Sequence, residues 1–225
     1  MEQSSLWPLI FLGLSGALAQ TGLDEKVFVF PEPSANAYVL LKPHMPERLH
    51  QFTACLRFYT DLTRQFSLLS CASKNNDNEI LLLRYSPTEY HIYVGGNSLS
   101  YAVSGNADRG SHWENICVVW NSTTGIIQLW VDGLALPRKG LSKGYVLKTD
   151  LVMMLGQDQD SYGGSFDRQQ SFVGEMAEVY IWDTVLPPEH LRRIRREKMP
   201  APLVVDWTAL DFEIRGYVVL ETALD

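Results

Sequence analysis

The chain has 225 residues, 19 Lys and Arg against 26 Asp and Glu for a net charge of −7, 46% hydrophobic residues and 16 glycines. That composition excludes a disordered or collagen-like chain, and the length suits one large domain or two small ones. The negative charge argues against a general nucleic-acid binder, which needs a basic surface to gather phosphates, and makes cations the natural counterparts.

The first segment does not belong to the fold. Residues 6–19 are apolar except for Ser15 and end in Ala17-Leu18-Ala19, the small-x-small pattern of a signal-peptidase site. The run is too short to cross a bilayer as a helix. Cleavage is expected before Gln20, which makes 1–19 a signal peptide, 20–225 the mature domain and the product secreted. Glu2 is the one charged side chain where a positive n-region is usual. No later stretch approaches the ~18 apolar residues of a span, so no membrane segment is expected.

Short β-rich runs follow at 27–30, 38–41, 52–59, 66–72, 79–85, 91–94, 116–120, 126–131, 151–155, 173–182 and 212–220. Gly95-Gly96, Gly105-Asn106, Asp132-Gly133 and Gly163-Gly164 punctuate them. That rhythm predicts an all-β, two-sheet jelly-roll sandwich. Along 126–131, strand alternation puts Ile127, Leu129 and Val131 on one face and Ile126, Gln128 and Trp130 on the other, so one face is core and the other mixed. A single short helix is predicted over 187–198, opened by Pro187-Pro188, with Leu191 and Ile194 as a narrow apolar stripe. Its five basic residues read as a solvated face, with an acidic partner or glycan as the sharper alternative. No repeat or linker divides the chain, so one core is expected over 20–225.

Secretion allows thiols to pair, and three cysteines permit one intrachain bond with one thiol left over. Spacing alone does not choose the pair. Cys55 and Cys117 both lie in strand-like runs, and a bridge between them would close a loop of about sixty residues, worth roughly 4 kcal/mol in chain-entropy terms. Cys71 would then be a buried small hydrophobe, or else an intermolecular or reactive thiol.

The densest chemistry lies in 155–170, LGQDQDSYGGSFDRQQ, where Asp158, Asp160 and Asp167 and several amide carbonyls crowd a glycine-bearing loop with Arg168 as the counter-charge. Such density repels itself unless a hard cation sits among the oxygens, and calcium takes 6–8 oxygen ligands in flexible geometry. The bland reading is a solvated acidic loop. An EF-hand is excluded, because counting from Asp158 puts Gln169 at position 12 and no paired helices flank the loop.

At this loop the chain resembles the short pentraxins, the family of C-reactive protein and serum amyloid P component. The likeness rests on residues 157–164, 166–168 and 170–175, with Lys26-Val27-Phe28-Val29-Phe30-Pro31, Asp77-Asn78-Glu79-Ile80-Leu81, Trp182-Asp183-Thr184-Val185-Leu186-Pro187-Pro188 and Phe212-Glu213-Ile214-Arg215-Gly216-Tyr217-Val218 in the rest of the chain. It departs from the family signature His-x-Cys-x-Ser/Thr-Trp-x-Ser/Thr, since Asn115 replaces the histidine and Val119 the hydroxyl residue, while Cys117 and Trp120 are kept. The resemblance implies a Cys55–Cys117 disulfide with Cys71 free.

It also implies two calcium ions per subunit. The first would be held by Asp77, Asn78, Asp158, the backbone carbonyl of Gln159 and Asp160; the second would share Asp158 and Asp160 and add Asp167 and Gln170. Asp158 stands where relatives have Glu, and its shorter reach weakens the second site most. The paired ions of such proteins bind phosphate or acetal oxygens, and neighbouring side chains select the rest of the ligand. Leu81, Leu83, Tyr93 and Ser98 stand at those places. Choline's ammonium would want a carboxylate where Ser98 stands and a small residue where Tyr93 stands. The resemblance therefore implies phosphoethanolamine-type or carbohydrate ligands over phosphocholine, and leans toward serum amyloid P component, with a mucosal pentraxin as a further option. A homopentamer follows from the same resemblance, as do the complement recognition subunit and Fc receptors as partners.

Weaker signals remain. Asn121-Ser122-Thr123 is a glycosylation sequon. Trp113, Trp120, Trp130, Trp182 and Trp207 could stack on sugars but read mainly as core. His112 lacks a second histidine at metal spacing and reads as a polar surface residue. The leading function is a calcium-dependent, non-catalytic pattern-recognition lectin of innate immunity. The rival is a jelly-roll glycoside hydrolase, which needs two carboxyls close together; Glu175 and Glu178 would point to opposite faces of a regular strand.

Overall fold

The computed structural model of the chain describes residues 23–103, 112–193, 200 and 204–223. The expected signal peptide lies outside these residues, as does the 194–198 half of the expected helix.

The described residues form two antiparallel sheets. Their strands are β1 (Lys26–Phe30), β2 (Tyr38–Leu41), β3 (Gln51–Tyr59), β4 (Phe66–Ser73), β5 (Asn76–Ser86), β6 (Glu89–Val94), β7 (Asn97–Ala102), β8 (Glu114–Asn121), β9 (Ile126–Val131), β10 (Leu134–Ala135), β11 (Lys139–Gly140), β12 (Val152–Leu155), β13 (Gly174–Trp182), β14 (Phe212–Arg215) and β15 (Val219–Thr222). One sheet has eight strands in the order β10-β9-β8-β3-β13-β1-β15, with β11 also paired to β9. The other has seven, in the order β14-β2-β12-β4-β5-β6-β7. Neighbours in each sheet are often far apart in sequence, as jelly-roll topology requires.

The main core lies between the sheets. Phe28, Phe52, Trp120, Phe172 and Trp207 are almost wholly buried there, and each such side chain contributes roughly 1.5–3 kcal/mol. Ile127 and Leu129 face this core as alternation predicts. Trp130, from the opposite face of β9, joins Cys55, Cys117, Val119, Trp182, Leu186 and Leu191 in a second, smaller cluster. Leu191 comes from the one described helix, α1 (Pro188–Arg192), which proline opens as expected. The mixed face of β9 is therefore mixed because a helix covers part of it.

Several strand readings change, and the two-residue strands β10 and β11 are additional to the predicted runs. The run at 212–220 is two strands, because Gly216 turns the chain at φ 66° with an added Cβ only 2.5 Å from the carbonyl oxygen of Asn36. Strand β7 is an added strand, with Leu99 and Tyr101 on its core side alternating with Ser98 and Ser100. In β13, Glu178 takes φ 53° at a bulge where the register to β3 shifts between Ala177 and Tyr180. The strand is thus irregular at the position on which the opposite-face reading of Glu175 and Glu178 depended. Glu178 is held in an ion pair, its Oε1 3.2 Å from Nε of Arg57. The disulfide joins Cys55 and Cys117, which are directly paired on β3 and β8, and Cys71 is free and buried. No described helix is long and apolar enough to cross a membrane.

Candidate metal and ligand face

The acidic loop is rooted in the core at both ends. Gly156 leaves β12 at φ 86°, and a Cβ there would lie 2.4 Å from the ring of Phe30, so only glycine fits. At the other end the Phe172 N–H donates to the Gly156 carbonyl at 2.9 Å, while its ring packs edge-on against Phe30 and Phe66. Between these anchors Gln157 donates to the carbonyls of Ser34 and Ala37 at 2.7 and 3.0 Å. Gln159, fully buried, donates to the carbonyl and hydroxyl of Ser70 and to the carbonyl of Val152, and its Oε1 accepts from Gly163 N–H. Asp167 caps the 3-10 turn Arg168–Gln170 by accepting from Gln169 N–H.

The β4–β5 hairpin supplies the second half. Asn76 Oδ1 accepts from Asn78 N–H, and the Asn78 amide donates to Asp77 Oδ1 at 3.0 Å. Just beyond, Glu79 is completely buried, and its two oxygens accept from the hydroxyls of Ser73 and Tyr145, each at 2.9 Å. This pair of hydrogen bonds fixes the backbone from which Asp77 and Asn78 project.

Loop and hairpin bring the candidate donors together. Burial, then the charges of Asp160 and Asp77, pushes the Asp158 carboxyl up to about 7. Asp160 is raised as well, first by burial and then by Asp77 and Asp167. Asp77 from the hairpin therefore shares one electrostatic neighbourhood with the loop carboxylates Asp158, Asp160 and Asp167. Gln170 donates to Asp158 Oδ2 at 3.3 Å, and the other oxygen, Asp158 Oδ1, is buried with no hydrogen-bond partner among the described residues, as is Asn78 Oδ1. Two buried acceptors without donors, beside carboxylates held above their ordinary range, match the donor chemistry of an oxygen-seeking cation. Among the described residues, no three His, Cys, Asp or Glu side chains converge into a ready-made cage. Amide and backbone oxygens must complete the set.

Arg168 is not the counter-charge its position implied. Its Nε donates outward to the carbonyl of Pro33 at 2.9 Å. Arg64, which sequence patterning did not mark, donates from NH1 to the carbonyls of Gln65 and Gln169 and is the cation that feels Asp167. The carboxylates are left mutually repelling.

The candidate ligand residues continue from this site across the seven-stranded sheet. Ser70, Leu81, Tyr93 and Ser98 are successive register partners on β4, β5, β6 and β7, so they share one face of the sheet. It is the face away from the core, since Ile80, Leu82, Ile92 and Val94 supply the core side. Leu81 is buried, Tyr93 half-buried and Ser98 exposed. Leu83 lies one register step along, opposite His91, whose ring stacks on Tyr85 at 4.4 Å. Ser70 and Arg64 carry no site reading in the sequence, and Gln157 and Glu79 enter there only as part of the resemblance, without a role. No local signal separates Ser70 from Ser67, which is equally buried in the strand Phe66–Ser73 and has no hydroxyl partner among the described residues.

The remaining candidates lie elsewhere. Asn121 is half-buried at the end of β8, its amide donating to Gln51 Oε1 at 3.1 Å and its Oδ1 accepting from Thr123 N–H. Trp120, Trp130, Trp182 and Trp207 are buried, whereas Trp113 is half-buried beneath the Arg57 guanidinium, 4.4 Å from the ring centroid. His112 Nε2 stands 4.0 Å from Asp132.

A model of the Pentaxin family matches residues 26–222. Serum amyloid P-component of Rattus norvegicus is 42% identical over 222 residues, covering 98% of this chain and 96% of that protein. C-reactive protein of Sus scrofa is 41% identical over 224 residues, covering 100% and 99%. Among solved structures, the native heptameric SAP-like pentraxin of Limulus polyphemus aligns with a TM-score of 0.77 at 21% identity, over 88% of this chain and 95% of that one.

Proposed function

The chain belongs to the pentraxin family, and from that premise we propose that it is a secreted, calcium-dependent pattern-recognition lectin of innate immunity. Membership of this non-enzymatic family sets the glycoside hydrolase reading aside. The observation that carries the calcium reading is the pair of buried, unpartnered oxygens, Asn78 Oδ1 and Asp158 Oδ1, inside the carboxylate cluster. Asp77, Asn78, Asp158, the Gln159 carbonyl and Asp160 would hold one ion, and Asp158, Asp160, Asp167 and Gln170 a second. Bound calcium would supply a positive, oxygen-seeking surface for phosphate or acetal groups.

This chain's own residues do the rest. Gln159 and Glu79 hold loop and hairpin in register, and the row Leu81, Tyr93, Ser98 receives whatever the phosphate or sugar carries. Tyr93 and Leu81 favour the serum amyloid P type of selectivity, for phosphoethanolamine or acidic sugars. Residues 1–19 act as the signal peptide and 20–225 as the mature domain, with the complement recognition subunit and Fc receptors as downstream partners and Asn121 as a glycan site. Five copies would present their sites on one surface and gain avidity from it.

The test is retention of the mature protein on phosphoethanolamine and phosphocholine matrices, with calcium and then with chelator, beside light scattering. Calcium-dependent retention on phosphoethanolamine and a mass of five chains are expected. Retention that ignores chelator overturns the calcium reading, and a mass of seven chains, as in the heptameric Limulus protein, overturns the pentamer.

A further inference from the structure

A cleft of about 410 Å³ lies between α1 and the eight-stranded sheet, and the calcium and ligand residues take no part in it. Its size falls in the range of small-molecule sites, about 300–1,000 Å³. Val119, Trp130, Leu186 and Leu191 line it and are all buried. Trp130 is only 3% exposed, yet its indole N–H has no acceptor among the described residues. A buried donor left unpaired costs roughly 1–3 kcal/mol, so it marks a place where an acceptor arriving from outside would be gained at little desolvation cost.

The one charged residue among the described lining residues is a cation. Arg138 lines it and makes no hydrogen bond or ion pair with any described residue. The guanidinium of Arg192 stands 5.6 Å from the Trp130 ring centroid. No Asp or Glu is among the described lining residues.

We propose that this cleft is a second binding site, for a small amphipathic carboxylate. An apolar chain or ring would pack on Val119, Leu186 and Leu191, and the carboxylate would accept from the Trp130 indole and the Arg138 guanidinium. An ammonium of the same length would bring its charge beside two arginines, and an alcohol would keep the packing while losing the charge-assisted bonds.

Calorimetry on the full mature chain with calcium tests this, using octanoate, 1-octanol and octyltrimethylammonium as probes. Saturable binding of one octanoate per chain is expected, with the other two weaker by at least about tenfold, the scale of one charge-assisted hydrogen bond. Arg138→Ala and Trp130→Phe should each weaken octanoate about tenfold, and Arg138→Lys should restore part of the loss. Absence of saturable octanoate binding, equal binding of the ammonium, or indifference to Arg138→Ala overturns the proposal. Arg138 is exposed, so its variants decide the matter even if Trp130→Phe fails to fold.

Discussion

The side-chain amide of Gln159 donates to both the carbonyl and the hydroxyl of Ser70, at 3.1 and 3.2 Å, across 89 residues of sequence. Ser70 is the first member of the row that runs on through Leu81, Tyr93 and Ser98. One buried amide thus sets the height of the acidic loop above the sheet that carries the ligand residues. Gln159→Leu keeps the volume and removes these bonds together with the one from Gly163. It is expected to lower calcium affinity about tenfold or more, since each buried bond lost with its partner left unsatisfied costs roughly 1–3 kcal/mol. The measurement is a calorimetric calcium titration beside a thermal melt. The Gln159 backbone N–H keeps its bond to the Ser70 hydroxyl in this variant, so unchanged calcium affinity in a folded Gln159→Leu protein would show that the loop's position does not depend on the Gln159 side chain.

Without the ion, Asp158, Asp160 and Asp167 repel one another, and residues 161–168 are tied to the rest of the fold by a few hydrogen bonds, from Gly163 and Arg168 among them, with the Phe166 ring, tilted on Tyr38 at 5.1 Å, as their main apolar contact. Limited proteolysis is therefore expected to cut this segment in chelator and to spare it in calcium, because local opening is easiest where buried apolar contacts are few. Equal cutting rates in the two conditions would be incompatible with a cation at this loop.

The acid pattern gives a pH dependence with a definite sign. The folded Asp158 carboxyl titrates at about 7 against an ordinary value of 3.8, chiefly through burial. Between those values the folded chain holds a proton that the unfolded chain releases, so ion-free stability is greatest below the window and falls as pH rises through it. Calcium must displace the same proton. Its affinity should rise across that window and level off above about pH 7, with metal-free melting temperature moving the opposite way. Calcium titrations at about pH 6 and about pH 8 read the effect, and Asp158→Asn should flatten the melting-temperature profile.

Much of this was legible in the sequence, and the parts that were not share a physical cause. The strands and the disulfide pair follow from apolar runs and from resemblance, and the acidic loop announces itself by charge density. Ser70 and Gln159 meet only because β4 and β12 are neighbours, which local periodicity does not report. Arg168 was misread because a charge near carboxylates in sequence need not face them, and here it reaches Pro33. Strand β7 was missed because Leu99 and Tyr101 are its two large apolar residues on the core side, while Ser98 and Ser100 face outward, where nothing selects for β-branched apolar residues.

Asp160 is expected to matter more than Asp167. Asp160 sits in the field of both Asp77 and Asp167, and the proposed coordination shares it between two ions, whereas Asp167 serves one and also caps the 3-10 turn through Gln169. Asp160→Asn should reduce ligand retention at limiting calcium by about tenfold or more, because removing ligand charge lowers calcium affinity. Asp167→Asn should do less, and neither should shift the melting temperature of the chelated protein downward. Normal retention by Asp160→Asn at limiting calcium would mean that the coordination is wrong.

Ligand selectivity is the most exposed expectation, because it rests on two side chains at the far end of one row. Tyr93 and Ser98 are direct register partners on β6 and β7, and Leu81 closes the other side of Tyr93 from β5. A primary ammonium is compact and can donate to the tyrosine or serine hydroxyl. A quaternary ammonium has no donor and needs an open pocket with a carboxylate or an aromatic face. With a ring filling the middle of the row and a neutral hydroxyl at its end, phosphoethanolamine should bind more tightly than phosphocholine in calcium. Tyr93→Thr with Ser98→Glu opens the middle and adds the missing charge on the same face, and should raise phosphocholine affinity by about tenfold, the scale of a desolvated cation contact. Calorimetry with both ligands on wild type and the double variant makes the comparison. A wild-type preference for phosphocholine would show the Tyr93 ring acting as the aromatic face for the quaternary ammonium, and an unchanged preference in the double variant would place ligand choice outside this row.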